Sequence, residues 1–369
     1  MVLDDNEDDS VFELQITEQQ VDTLYGKVYC TIAGLSKPNC PVILTYHDVG
    51  LNHKMCFESF FSHEDMQEII RHFPVLHVNA PGQHEGAVSL ATEYIYPSMD
   101  QLSETLPTIL KHFGFTSVIG FGVGAGANIL TRFALNYPDL IEGLVLININ
   151  PNAEGIVESV TSKITGWTQT VTETVIAHLF GKKEIESHHD VIATFRHDIM
   201  TYMNESNLAQ FMRSYNSRQA LELKRPVPGT NHTGRTLKCS SLLIAGDDSP
   251  WLEVVVDCNS KLDPTRATLL KMADCGGLPQ VDQPAKLTEA LKYFVQGLGY
   301  MSSSCMTRLS RSRTTSTSSV MSTDSGRARA HTDELQRGLW SAHRRARSHT
   351  DSSVDGISTN HTGSKPERC

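Results

Sequence analysis

A glycine-dense stretch, Gly120-Phe121-Gly122-Val123-Gly124-Ala125-Gly126, constrains this chain more than any other feature. It follows the apolar run Ser117-Val118-Ile119. It leads into Ala127-Asn128-Ile129-Leu130-Thr131-Arg132-Phe133-Ala134, whose apolar residues recur at helical spacing. The pattern reads as strand, sharp turn, helix. The plainest use of the glycines is steric, since they let a strand and a helix approach more closely than side chains allow.

The surrounding segments extend that unit. Val11-Phe12-Glu13-Leu14-Gln15-Ile16 and Gly26-Lys27-Val28-Tyr29-Cys30-Thr31-Ile32 alternate as half-buried strands do, and predict an opening antiparallel hairpin. Short continuous apolar runs follow at 41–46, 74–78, 143–149 and 240–245, the mark of strands buried on both faces. A last strand is expected at 267–272. Helical patterns lie between them: Glu64 to His72, a helix capped by Ser98 or Asp100 and running towards His112, and a final helix from about Pro284 to Gln296. This alternation predicts an α/β fold with a mostly parallel sheet and helices on both faces. Between 152 and 236 no buried strand pattern occurs. Helical stretches around Trp167 to Phe180 and Asp190 to Tyr215 predict a cap lying over the sheet.

Residues 1–10 are acidic and read as disordered, so the domain is expected over 11–300. Residues 301–369 are rich in Ser, Thr and Arg, with too few apolar side chains to offset the entropy of ordering; a disordered tail is expected. The tail carries about +5 against −10 for the whole chain, which leaves about −15 on the body. A basic tail on an acidic body suits an anionic partner or the body itself. The opening Met1-Val2-Leu3 and the acidic residues after it suggest neither a secretory signal nor a myristoylation site. No apolar run approaches the roughly 20 residues a membrane span needs. The eight cysteines include no C-x-x-C pair, which suggests reduced thiols in the cytosol.

The layout resembles the α/β-hydrolase fold over roughly 11–298. In that fold the strand–turn–helix unit is a nucleophile elbow, G-x-S-x-G. Here Gly122 and Gly126 are the outer glycines, and Gly124 stands at the nucleophile position without a side chain. Asn79-x-Pro81-Gly82 resembles a turn common in such enzymes, and His47-Asp48-Val49-Gly50 begins the oxyanion-hole loop. The acid is expected after the strand ending at Gly246, where the register gives Ser249, with Asp247 and Asp248 just before it. The base is expected in a Gly-His pair, and the chain has Gly276-Gly277. A serine hydrolase needs an imidazole to take the nucleophile's proton and a carboxylate to orient that imidazole. Loss of both nucleophile and base argues against triad hydrolysis.

Two rival readings stand beside this one. Gly122-x-Gly124-x-x-Ala127 loosely fits a dinucleotide fingerprint, but the next strand ends in Asn148 and Asn150 and lacks the acidic residue that would hold a ribose. Alternatively His47, His53, His77, Asp48, Asp247 and Cys275 converge in a residual pocket of unusual chemistry. His188-His189-Asp190 lacks the spacing of a structural metal site, so neither metal nor cofactor is expected.

Pro41-Val42-Ile43-Leu44-Thr45-Tyr46-His47-Asp48, Ala80-Pro81-Gly82-Gln83, Met272-Ala273-Asp274-Cys275-Gly276-Gly277-Leu278-Pro279 and Met306-Thr307-Arg308-Leu309-Ser310-Arg311-Ser312-Arg313-Thr314 resemble blocks of the N-myc downstream-regulated family. Two degenerate copies of Arg-x-Arg-x-His-Thr, at 327–332 and 345–350, resemble the tail repeats of one branch. The resemblance implies an α/β-hydrolase fold without hydrolase activity. It implies a mainly cytoplasmic protein, with membrane-associated or nuclear pools, linked to stress response, differentiation, growth control and vesicle trafficking. It also implies a tail that basophilic kinases modify. Arg-x-Arg-x-x-Ser/Thr occurs at Ser316, Thr332 and Thr350. Each phosphate adds about −1.5 to −2 charges, so three would bring the tail near neutrality and switch its attraction to an anionic membrane.

The expectation is a non-catalytic, phosphorylation-regulated interaction protein that binds no nucleic acid. The alternative is a small-molecule-binding pseudo-hydrolase or a hydrolase of unrecognised chemistry. A cavity lined by His47, Gly124 and Asp247 would favour the alternative. A pocket filled by cap side chains would favour the first reading.

Overall fold

The structure, a computed structural model, describes residues 16–35, 37, 40–153, 170–226 and 234–301. All of them lie in the unit Met1–Ser319. Eight strands form one sheet in the order β1-β2-β4-β3-β5-β6-β7-β8. They are β1 (Ile16–Thr23), β2 (Gly26–Ala33), β3 (Val42–Tyr46), β4 (Val75–Val78), β5 (Val118–Val123), β6 (Ile141–Ile147), β7 (Ser240–Gly246) and β8 (Ala267–Met272). β2 is antiparallel to β1 and β4, and the remaining pairs are parallel.

The first described strand runs Ile16–Thr23, up to a two-residue turn at Leu24-Tyr25. Of the expected strand only Ile16 lies among the described residues. β1 pairs on one side only and is almost wholly exposed, so it has no reason to show the apolar alternation that betrays a core strand.

Consecutive residues of β5 show how the sheet is covered. A Cβ at Gly120 would lie 2.7 Å from Leu144 and 3.4 Å from Leu130 of helix α4 (Ala125–Asn136). The next side chain, Phe121, points to the other face. There it packs against the rings of Phe57, Phe60 and Phe61 on α1 (His53–Phe61). Helices thus cover both faces. The predicted helix over Glu64 to His72 divides into a 3-10 turn (Glu64–Met66) and α2 (Gln67–His72). Helix α3 (Met99–Phe113) starts in a capping box, with Ser98 accepting from the Gln101 N–H and the Gln101 side chain accepting from the Ser98 N–H. It ends at Gly114, whose φ of 74° is the left-handed cap glycine favours.

The cap consists, among the described residues, of α5 (Val171–Leu179), α6 (Lys182–Ser187), α7 (His189–Tyr202) and α8 (Glu205–Asn216). The single stretch expected from Asp190 to Tyr215 is broken at Met203-Asn204. There the Asn204 side chain accepts from the Asn207 N–H and starts a new helix. The last elements are α9 (Leu252–Ser260), α10 (Pro279–Asp282) and α11 (Pro284–Gly297).

The cap is seated by close approach. Gly50 has a φ of 82°, and a Cβ there would overlap the Val175 side chain of α5. The fully buried Asn207 of α8 donates to the carbonyls of Gly82 (3.1 Å) and Val88 (2.9 Å) and accepts from the Leu90 N–H (2.9 Å).

Candidate functional site

The turn after β5 has the backbone of an elbow. Gly124 adopts φ 52° and ψ −110°, a region that side chains rarely enter. A Cβ at Gly122 would lie 2.6 Å from the Ala127 amide nitrogen, and one at Gly126 would overlap the Tyr46 carbonyl. Both flanking positions therefore require glycine if α4 is to leave β5 this sharply. The turn points the Ala125 N–H, at the start of α4, towards the loop after β3.

That loop supplies a carboxylate in place of an empty hole. Asp48 Oδ1 accepts from the Val49 N–H (2.7 Å) and the Ala125 N–H (2.8 Å). Asp48 Oδ2 accepts from His178 Nε2 of α5 at 2.9 Å. The two side chains are 3 % and 1 % exposed, so water does not screen their contact. The Asp48 carboxylate also covers Gly124 itself: a Cβ on that residue would overlap all three carboxylate atoms. In a serine hydrolase the corresponding amides receive the oxyanion and the elbow carries the hydroxyl. Here one buried aspartate takes both places.

His47 is committed to the backbone. Its Nε2 accepts from the Ala80 N–H (2.9 Å), which makes the other nitrogen the donor, to the Asp48 carbonyl (2.8 Å). Burial pushes its pKa down to about 4, so the ring is neutral at physiological pH. This is the chemistry of a buried strut, and the residual-pocket role expected of His47 has no free ring nitrogen to serve it.

The acid and base positions are joined by a different network. Ser249 donates to Asn148 Oδ1 (3.0 Å) and accepts from the Trp251 N–H (3.1 Å). Asn148, at a φ of 53° just beyond β6, donates its amide to the Gly277 carbonyl (2.6 Å). The Gly277 N–H donates to Glu184 Oε2 (2.8 Å), and the same oxygen accepts from the Gly181 N–H (3.2 Å). A Cβ at Gly277 would overlap the Leu179 carbonyl, and one at Gly276 would overlap the Glu184 carboxylate. The strap between α5 and α6 therefore runs where a catalytic histidine would stand. Trp251 anchors it by donating its indole N–H to the His178 carbonyl (2.9 Å).

Asp247 turns away from these groups. It is half-exposed and accepts from the Cys275 N–H (3.1 Å), which holds its carboxyl below the usual carboxylate range. Asp248 pairs with Lys183 of α6 at the surface (2.8 Å).

A model of the Ndr family matches residues 18–302, most of the chain. The chain belongs to the Ndr family. Protein NDRG1 of Xenopus tropicalis is 58 % identical over 307 residues, covering 83 % of this chain and 77 % of the relative. Protein NDRG3 of Xenopus laevis is 55 % identical over 320 residues, covering 86 % and 85 %. Among solved structures, a thermophilic esterase from Thermogutta terrifontis is similar, with a TM-score of 0.57 and 18 % identity over 77 % of this chain and 99 % of the esterase. The enol-lactonase from Burkholderia xenovorans has a TM-score of 0.57 and 16 % identity over 75 % of this chain and all of that one. At such identity these two establish the α/β-hydrolase fold alone.

In this Ndr chain the residues that sequence reasoning missed are His178, Asn148 and Glu184. His178 sits in an ordinary amphipathic helix, 130 positions from Asp48, so no local pattern marks it. In the sequence Asn148 stands out only as the wrong residue for a ribose. Among the described residues, no group of three or more His, Cys, Asp or Glu is arranged to hold a metal ion. No described helix is long and apolar enough to cross a membrane. Ser316, Thr332 and Thr350 lie outside the described residues.

Proposed function

We propose that this Ndr-family chain is a non-catalytic interaction protein whose basic tail is tuned by phosphorylation. The observation that carries the non-catalytic part is the Asp48 carboxylate on the Val49 and Ala125 amides, with His178 closing over it. An ester carbonyl has no access to those donors while Asp48 holds them. An enzyme of this fold would also need a side chain at Gly124 and a histidine at Gly277, and both places are filled by other parts of the chain. The alternative, a ligand cavity lined by His47, Gly124 and Asp247, finds no support: His47 is bonded to backbone, Asp48 covers Gly124, and Asp247 accepts from the Cys275 N–H in the loop after β8.

The regulatory part rests on the tail's sequence. A basophilic Ser/Thr kinase would act at Ser316, Thr332 and Thr350, and the unmodified tail would meet an anionic membrane surface or acidic protein partners. A cytoplasmic setting, with membrane-associated or nuclear pools, fits this reading. Roles in stress response, differentiation, growth control and vesicle trafficking belong to the same proposal through the family likeness.

Two measurements on the purified full chain test it. On a panel of short-chain p-nitrophenyl esters the protein is expected to match the no-protein blank. Turnover that survives purification and disappears in Asp48→Ala would overturn the non-catalytic reading. Binding to anionic vesicles is expected to weaken after treatment with a basophilic kinase. The triple variant Ser316→Ala/Thr332→Ala/Thr350→Ala should keep its binding after the same treatment. Equal binding by treated and untreated wild type would remove the regulatory part.

A further inference from the structure

The two amide donors around Asp48 do not depend on the side chain they hold. The Ala125 N–H is aimed by the Gly124 turn, which is pinned by the Gly124 N–H to the Ile147 carbonyl (2.9 Å) and by the Asn128 N–H to the Gly124 carbonyl (3.1 Å). The loop carrying the Val49 N–H is pinned by His47, which bridges the Asp48 carbonyl and the Ala80 N–H, and by the Leu51 N–H to the Asp48 carbonyl (3.3 Å). The His178 ring is fixed by the indole ring of Trp251 at 5.0 Å and by the bond from that indole to its own carbonyl. Its second nitrogen, Nδ1, is buried without a hydrogen-bond partner, so the imidazole is oriented by Asp48 and by packing. Preorganised donors of this kind, held in a dry site, bind an anion without having to reorganise first.

We propose that the Val49 and Ala125 amides and His178 Nε2 form a carboxylate-binding cradle whose resident ligand is the chain's own Asp48. With that side chain removed, the cradle binds a small external carboxylate. The inference rests on the reading of this site as closed by the chain itself. A tethered ligand acts at high effective concentration, so in the wild type it keeps free carboxylates out. Asp48 is thus an internal competitor as well as a structural residue. Any partner that offers a carboxylate to this site must first displace Asp48 and, with it, the link to α5.

The geometry makes the test size-specific. Asp48→Ala deletes a carboxyl group, whose heavy atoms are those of formate. Asp48→Gly deletes the methylene as well, and what is lost has the heavy atoms of acetate. Thermal midpoints of the full-length wild type, Asp48→Ala and Asp48→Gly are measured against sodium formate, sodium acetate and sodium chloride at matched ionic strength. Both variants are expected to melt below the wild type. Formate should raise the Asp48→Ala midpoint by a few degrees, growing with the logarithm of its concentration as ligand linkage requires. Acetate should be the better ligand for Asp48→Gly. The wild type should respond to none of the three beyond the general salt effect.

Equal effects of formate, acetate and chloride on the variants overturn the proposal. So does a wild type that responds to formate as strongly as Asp48→Ala. If Asp48→Ala fails to fold in chloride, refolding in formate supports the cradle, and failure in both salts overturns it. Asp48→Asn keeps an acceptor for the two amides and is expected to fold with the cradle filled; a formate response equal to that of Asp48→Ala also sinks the idea. None of these outcomes bears on ester turnover, so the non-catalytic reading stands or falls separately.

Discussion

Two halves of one site differ from the arrangement of a serine hydrolase in different ways. On the elbow side the backbone is intact: Gly122 and Gly126 allow the tight turn, and Ala125 aims its N–H at the loop after β3. Only side chains differ there, with none at Gly124 and a carboxylate at Asp48. On the acid–base side the space itself is gone, because the strap after α5 places the Leu179 carbonyl against Gly277 and the Glu184 carboxylate against Gly276. An empty side-chain position can be refilled by one substitution. A position crossed by another backbone segment cannot, because carbonyls held in a folded strap do not move aside like the end of a flexible chain.

The sharpest way to break this comparison is Gly277→His. Its Cβ would overlap the Leu179 carbonyl, so the strap must leave the body, and a loss of more than about 3 kcal/mol is expected in urea denaturation. A variant as stable as the wild type would show that the strap yields, and that the acid–base side is no more closed than the elbow.

Acid tests the struts behind the elbow. The ordinary pKa of histidine is 6.5, and burial lowers that of His47 to about 4 and that of His77 to about 3. In this window the unfolded chain binds protons that the folded chain refuses. The stability these rings contribute is whole above about pH 6.5 and is lost as pH falls towards 4. For His47 alone the loss is about 3 kcal/mol. Melting midpoints measured down a pH series should fall across this range, and more gently in His47→Gln. An acid limb unchanged in that variant would remove His47 from the account.

Gly124→Ser sharpens the comparison at the elbow. A positive φ and an overlap with Asp48 should cost about 2 kcal/mol. Because Asp48 is a side chain, Asp48→Ala should relieve part of that penalty, with a coupling of about 1 kcal/mol in a double-mutant cycle. Additive effects would place the strain wholly in the backbone. The smallest effect expected is that of Ser249→Ala. It removes one donor to Asn148 and one acceptor for the Trp251 N–H, for about 1 kcal/mol in the same denaturation.

Much of the fold was legible because its signals are local. Continuous apolar runs marked β3 through β7, buried on both faces, and Ser98 marked the start of α3. The edge strand β1 is not legible in the sequence, because an exposed strand carries no burial pattern. α1 went unread, although its Asn52 cap accepts from the Met55 N–H and its aromatic side chains cover Phe121. The candidate site was legible only in part. Gly124 and Gly277 are visible as glycines in a known spacing, but what fills the space beside them comes from residues far away in the chain.

The sequence by itself determined the glycine elbow, the alternation of strands and helices, and the lack of side chains at positions 124 and 277. Those are properties of neighbours in the chain, set by backbone sterics and by the period of burial. Only the tertiary structure decided that Asp48 is the occupant of the amides, that His178 closes over it, and that the strap from Leu179 to Glu184 runs through the place of the base. Hydrogen bonds and steric exclusion act over a few ångströms in space, whatever the separation in sequence, and here the closing partners come from a cap helix far along the chain.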